Sequence, residues 1–434
     1  MNNNVTKQFI RYVAQNILGM LCISLYILAD TFFISKAVGA DGITALNLVL
    51  PLYSFIFAIG HMIGVGAAIR FSVAGKQNRC DAVPLFMNSI EFGVVIGIVF
   101  ALIGLTAPGK LVALLGADES IVQVGAGYTR IFMSFSPFFI CNFICNAFVR
   151  NDGNPSLAMT ATIVSSLFNI VFDYVLMFPC GMGMNGAALA TAFSPVVGIC
   201  ICLFHFFGKK NTISLKPVKP SVKSLLHSCK LGISAFVGEM SSGVITMVFN
   251  FIILGLSGNL GVAAYGIVAN TALVAVEVFN GVAQGSQPLL SRYYGAGDFA
   301  GVRKVKRMGI ASALIMAVII LSAVFIFAPQ IAGIFNRDND AELARMAVYG
   351  IRLYFVGFIF SGINIVGGNA FSAVGKAGWA FVISIMRGLV VIVASAFILS
   401  ALLGMTGVWC AYPVAEAITA VVTLTGLIRM NKEL

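Results

Sequence analysis

Apolar residues run along this chain in twelve blocks separated by short polar breaks. The blocks span about 13–35, 43–71, 86–106, 122–149, 158–178, 185–207, 231–256, 260–290, 308–334, 344–372, 379–403 and 406–428. Each is long enough for a span of ~20 residues across a bilayer. The pattern predicts an all-α integral membrane protein with twelve transmembrane helices. Pro51, Pro137 and Pro288 fall inside blocks, where neighbouring helices re-satisfy the backbone groups that proline frees.

The polar breaks carry the orientation. With both termini placed inside, most of the 27 Lys and Arg lie on the inner side, against four outside: Lys36, Lys110, Arg337 and Arg345. That asymmetry predicts cytoplasmic termini and an even number of crossings in the plasma membrane, the inner membrane of the cell. The longest polar break, "GKKNTISLKPVKPSVKSLLHSCK", has six lysines, two prolines and no acid. It reads as a cytoplasmic linker, 208–230, between an N-terminal lobe, 1–207, and a C-terminal lobe, 231–434.

The two lobes resemble each other. "GMNGAALA" at 183–190 aligns with "GMTGVWCA" at 404–411, and "NAFVRNDGNP" at 146–155 with "NAFSAVGKAG" at 369–378. Arg130 pairs with Arg352, and "SVAGKQN" at 72–78 with "RYYGAGD" at 292–298. All four matches share an offset near 221, in one order, as duplicated halves require. Six helices per half give both copies the same membrane orientation, and the substrate site of such repeats lies near the midplane.

Composition agrees with lipid as the main solvent. The chain is 59% hydrophobic and 10% charged, against about 25% charged in soluble domains. The net charge of +11 is then an orientation signal, and no nucleic-acid partner is expected. The nine cysteines form no CxxC pair and read as small buried hydrophobes. The N-terminus has no signal-peptide pattern. GxSxG, HExxH and Walker loops are missing from the sequence, so neither an enzyme nor an ATP-driven pump is expected. No cofactor and no oligomer are signalled, and a monomer is the expectation.

Six acids fall inside the apolar blocks: Asp30, Glu91, Asp173, Glu239, Glu277 and Glu416. An ionisable group at membrane depth is a functional candidate by default. Asn169 and Asp173 are four apart and share a helix face. An amide beside a carboxylate suits Na⁺, which takes oxygen ligands, and equally a carboxyl that binds a proton. Asp30 and Thr191 add further oxygens, so Asp30, Asn169, Asp173 and Thr191 form the candidate coupling site, with Na⁺ possible at Asp30, Asn169 and Asp173. The second half lacks these acids: Asp30 aligns with Asn250, and Asp173 with Ala394 or a neighbour. Asn142, Asn146, His61, Glu239 and Glu277 are candidates for a substrate cavity, where a carboxylate attracts a cation and His61 can act as a pH switch. Glu91 and Glu416 read as structural, through pairing with arginine or backbone groups.

Several stretches resemble the multidrug and toxic compound extrusion (MATE) family over nearly the whole chain. They are "ADTFFISKAVGADGITALNL", "NIVFDYVLMFPCGMGMNGAALAT", "QGSQPLLSRYYGAGD" and "GMTGVWCAYPVAEA". The resemblance implies a V-shaped fold of two six-helix pseudo-symmetric lobes, alternating between outward-open and inward-open forms. It also implies export of cationic amphipathic compounds by antiport with H⁺ or Na⁺. In many bacterial members the ion site uses an acid in the first helix, an Asn and an Asp four apart in the fifth and a Thr in the sixth; Asp30, Asn169, Asp173 and Thr191 fill those positions. Some relatives add acids in the seventh and tenth helices. Glu239 fits the first, and nothing fits the second. The alternative function is a lipid-linked sugar flippase of the same superfamily, which a cationic cavity would favour.

Overall fold

A computed structural model of the chain describes residues 2–74, 82–117, 119–208, 211–335 and 340–433. The loop cations Lys76, Arg79, Lys209, Lys210 and Arg337, with part of the 72–78 repeat copy, lie outside the described residues.

The described elements are all helices. In the first half they are α1 (Asn2–Ala37), α2 (Ala40–Ala74), α3 (Leu85–Thr106), the short α4 (Pro108–Leu114), α5 (Glu119–Ser134), α6 (Ser136–Asn151), α7 (Pro155–Met177) and α8 (Gly183–Leu203). Then follow α9 (Val222–Gly295), α10 (Phe299–Phe335), α11 (Ala341–Phe355), α12 (Phe358–Ala373) and α13 (Ala377–Ile385). A π-helical turn (Met386–Val390), α14 (Val391–Leu403) and α15 (Met405–Glu433) complete the chain. The protein is a multi-pass, all-α membrane protein. Among the described residues nine helices are long and apolar enough to cross a bilayer, or eleven when each of two bent pairs is one span.

The blocks and the helices differ at three kinds of place, each with a local cause. The fourth block bends by 48° between α5 and α6, where Pro137 occupies the first turn of α6, a position that suits proline at the start of a new helix and breaks the ladder from the one before. The tenth block bends by 46° between α11 and α12, beside Gly357. The seventh and eighth blocks are one 74-residue helix, α9, interrupted at Gly258 by φ 59° and ψ −154°. A straight helix of that length would reach about 110 Å, far beyond a bilayer core of about 30 Å. The positive φ is one that glycine adopts freely, and it turns the chain. The α9 helix also starts inside the expected linker, at Val222, where the Ser221 hydroxyl accepts from the Ser224 N–H at 3.3 Å, as an N-cap does.

Contacts divide the chain into two compact units: Leu18–Met240, and Met1–Ile17 with Ser241–Leu434. The first has a core that includes Ile34, Val49, Ile63, Phe132 and Phe148. The second is built on Phe249, Phe279, Phe355, Phe358 and Trp409. Each unit borrows the start of a helix from the other sequence half, and each does so through glycine.

In the Leu18–Met240 unit, α2 crosses the first turns of α9. A Cβ on Gly66 would come within 1.9 Å of the Ser228 carbonyl oxygen, and one on Gly232 within 1.9 Å of that of Met62. Arg70 Nη1 closes the crossing by donating to the Ser224 carbonyl at 2.7 Å and to the Ser224 and Ser228 hydroxyls at 3.0 Å. In the other unit the start of α1 crosses the later part of α9. There a Cβ on Gly281 would meet Ile17 Cα at 2.6 Å, and one on Gly285 would meet Val13 Cα at 2.7 Å. Gly281 and Gly285 stand 219 residues beyond Met62 and Gly66, so this is one crossing made twice. Apolar burial offers little drive for helix association in lipid, and close backbone approach through small residues takes its place.

Candidate functional site

The first-half candidates converge. Asp30 on α1, Asn169 and Asp173 on α7 and Thr191 on α8 are all buried, Asn169 and Asp173 completely. The ring of Phe33, one turn beyond Asp30, lies 6.2 Å from that of Tyr174 and 6.1 Å from that of Phe178, which seats α1 on α7. Asp30 and Asp173 lie in each other's electrostatic field.

Asn169 bridges the set. With its amide turned so that both ends are satisfied, Nδ2 donates to Asp173 Oδ2 at 3.1 Å. Its oxygen then accepts from Thr191 Oγ1 at 3.2 Å and from the Thr191 N–H at 3.3 Å. Orientation of an amide follows from its hydrogen-bond network in this way. One oxygen of each acid is left over. Among the described residues, Asp30 Oδ1 and Asp173 Oδ1 are buried without a hydrogen-bond partner, and neither acid is ion-paired. Two unpaired carboxylate oxygens beside an amide and a hydroxyl are a hard-oxygen set suited to Na⁺ or a proton.

Two tyrosines that sequence reasoning did not single out lie near the same acid. Tyr53 of α2 and Tyr128 of α5 both feel the charge of Asp30. Their hydroxyls are 3.3 Å apart, and the Tyr53 ring stacks on Phe132 at 3.7 Å. Nothing in spacing separates them from the rest of the 11 Tyr and 36 Phe.

The sequence profile of the MatE family matches residues 16–175 and 235–398. The chain belongs to the MATE family. The Multidrug export protein MepA of Staphylococcus saprophyticus is 27% identical over 425 residues, covering 97% of this chain and 93% of MepA. MepA of Staphylococcus aureus strain MRSA252 is 27% identical over 423 residues, with the same coverage of both chains. Among solved structures, an outward-facing multidrug resistance MATE family transporter of the MOP superfamily superposes with a TM-score of 0.92. It is 23% identical, over 99% of this chain and 97% of that one, and shows that the fold is shared. The two profile matches start and end about 220 residues apart, the spacing of the repeat.

The cavity candidates separate into three groups in this MATE protein. His61 on α2 and Glu239 on α9 meet, Nδ1 to Oε1 at 2.9 Å, with the His61 ring 4.0 Å from that of Phe143. Asn142 and Asn146 on α6 face its neighbours. Asn142 lies against Gly198 of α8, and Asn146 Nδ2 is 3.5 Å from Thr162 Oγ1 of α7. Glu277 is in the other unit, where it accepts from Asn280 Nδ2 at 3.3 Å.

The two acids read as structural part ways. Glu416 is a paired group: its Oε1 accepts from Arg387 Nη2 at 2.8 Å, and its Oε2 from Asn364 Nδ2 at 2.7 Å. Thr423 donates to Asn364 Oδ1 at 2.7 Å, and Ser361 accepts from Tyr412 at 2.9 Å and from Arg387 at 3.1 Å. Glu91 has one oxygen, Oε2, buried without a partner among the described residues.

Proposed function

We propose that this MATE protein is a multidrug exporter of the plasma membrane, an antiporter that couples export of cationic amphipathic compounds to entry of H⁺ or Na⁺. Counting each bent pair once and α9 twice gives twelve crossings, which leaves both termini on one side, the cytoplasmic side by the distribution of cations. The family and the multidrug export proteins it resembles support the transport class. The observation that carries the coupling reading is the pair of buried, unpartnered oxygens on Asp30 and Asp173.

An aspartate at the centre of a membrane helix costs about 2.5–3.5 kcal/mol even on insertion scales. One side-chain hydrogen bond at membrane depth, such as that from Asn169 one turn earlier on α7, returns about 0.6 kcal/mol. The pair is therefore uncompensated by its static contacts. A cation arriving between the two acids cancels their mutual repulsion and takes up the free oxygens. Asn169 and Thr191 tie that event to α7 and α8, and Asp30 ties it to α1. The conformation favoured by the bound ion differs from the one favoured without it by the ion's differential affinity, and export follows from that difference. Glu239, held by His61, is the acid we assign to attracting the cationic cargo.

The test is efflux from proteoliposomes under separately imposed Na⁺ and pH gradients. Asp173→Asn is expected to insert and fold as the parent does, and to lose gradient-driven efflux by at least about tenfold, the effect of ~1.4 kcal/mol of lost ion affinity. Parent-level efflux by this variant would overturn the coupling site. Efflux that follows one gradient alone identifies the ion.

A further inference from the structure

We propose that the groove between the start of α10 and the end of α15 is a binding site for an anionic phospholipid. It holds a cavity of about 520 Å³ lined by Arg303, Lys306, Arg307 and Asn431, with Ile310, Ala311 and Leu314 as its apolar wall. All of it lies in one compact unit, and the coupling reading does not use it.

The cations are in excess there. Lys306 feels the positive charges of Arg303, Arg307 and Lys376. Glu433, at the end of α15, is bridged to Lys376. Lys306 is also held in place: it is buried, and its ammonium donates to Asn431 Oδ1 and, at 3.4 Å, to the Leu427 carbonyl. A fixed ammonium at the base and two exposed guanidiniums at the rim form a fork that matches phosphate oxygens.

The apolar side selects a lipid over a free anion. Arg303, Arg307, Ile310, Leu314 and Val318 succeed one another at steps of three and four, and so share one face of α10. Leu314 and Val318 are exposed. Headgroup contacts thus pass directly into a stripe of uncovered aliphatic side chains running along the helix into the bilayer, where acyl chains lie. Basic pockets between helices at a membrane surface bind anionic headgroups for these reasons.

The experiment is native mass spectrometry of the full chain in detergent, titrated with phosphatidylglycerol, with phosphatidylcholine and inorganic phosphate as separate arms. Phosphatidylglycerol is expected to give one tight adduct that neither phosphatidylcholine nor equimolar phosphate displaces. The variant R303Q–R307Q keeps Lys306 and its bonds to α15. It is expected to bind phosphatidylglycerol roughly 30-fold more weakly, at about fivefold for each basic residue removed, with no change in its weak phosphatidylcholine adducts. R303K–R307K, which keeps the charge, should lose fivefold or less. A phosphatidylglycerol affinity in R303Q–R307Q within twofold of the parent would overturn the site. So would displacement by inorganic phosphate, which would make it a plain anion site. A loss in the lysine variant equal to that in the glutamine variant would show that packing, not charge, holds the lipid, and would likewise overturn it.

Discussion

Two buried acids in this chain differ in how far their oxygens are engaged. Glu416 has each oxygen engaged, by Arg387 on one side and Asn364 on the other, and the arginine sits in the π-helical turn Met386–Val390. Asp173 accepts one bond from Asn169 and leaves Oδ1 unpartnered among the described residues. A closed pair has no free oxygen to offer a cation, and the proposed coupling needs an open one. The difference is measurable. Arg387→Met leaves Glu416 charged and buried without its counter-ion, a change that costs about 3–5 kcal/mol. It should lower the midpoint of thermal unfolding in detergent markedly. R387M–E416Q removes both charges while keeping a side-chain carbonyl at 416 to accept from Asn364 Nδ2, and should recover most of that loss and still transport. If R387M–E416Q were stable yet lost ion coupling as Asp173→Asn is expected to, Glu416 would belong to the coupling machinery and the distinction drawn here would fail.

Helices were the most legible level of this protein, because lipid forces long apolar runs and leaves little else to read. Eight of the twelve blocks lie inside the observed helices, the fifth and sixth run past their helix ends at Met177 and Leu203, the fourth and tenth cross the bends, and the repeat seen in sequence recurs as backbone geometry. Gly183 and Gly404, the first glycines of "GMNG" and "GMTG", have φ 51° and 59°. The second glycines, Gly186 and Gly407, lie against the backbone of the preceding helix, at Leu176 and Leu399. Gly153 and Gly375 repeat the pattern at φ 82° and 79°. Less legible was whatever depends on a partner distant in sequence: the Arg387–Glu416 pair, the Tyr53–Tyr128 contact and the merging of two blocks into α9. The bends were half legible, one marked by Pro137 and the other only by a glycine. The glycine crossings are the element-scale feature easiest to test. Gly66→Val would place a Cβ 1.9 Å from the Ser228 carbonyl oxygen, a backbone atom that no rotamer change can move aside. The variant should insert normally, because each helix remains apolar, but separate α2 from α9. A thiol probe at Ser228, buried in the parent, should then react at least severalfold faster. Unchanged reactivity would mean that the crossing tolerates the side chain and carries no packing role.

At the scale of the whole molecule the halves are alike in fold and unlike in charge. The first half keeps two open acids, while the positions aligned with them in the second are Asn250 and Ala394 or a neighbour, and the second half buries a neutralised pair instead. The proposed coupling places the ion response in the first half alone, and it requires that both copies stand the same way in the membrane, with the loop between α7 and α8 outside and the stretch before α9 inside. Cys180 makes that orientation testable. It is the exposed cysteine in the turn that follows α7, on the outer side if both termini are cytoplasmic. In a variant whose other cysteines are replaced by serine or alanine, Cys180 should react in intact cells with a membrane-impermeant maleimide. A cysteine placed at Lys216, in the stretch before α9, should react only after the cells are opened. The reverse pattern would invert the chain, put the lysine-rich break outside against the charge asymmetry, and present Asp30 and Asp173 to the opposite gradient. The coupling mechanism would then run as uptake rather than export.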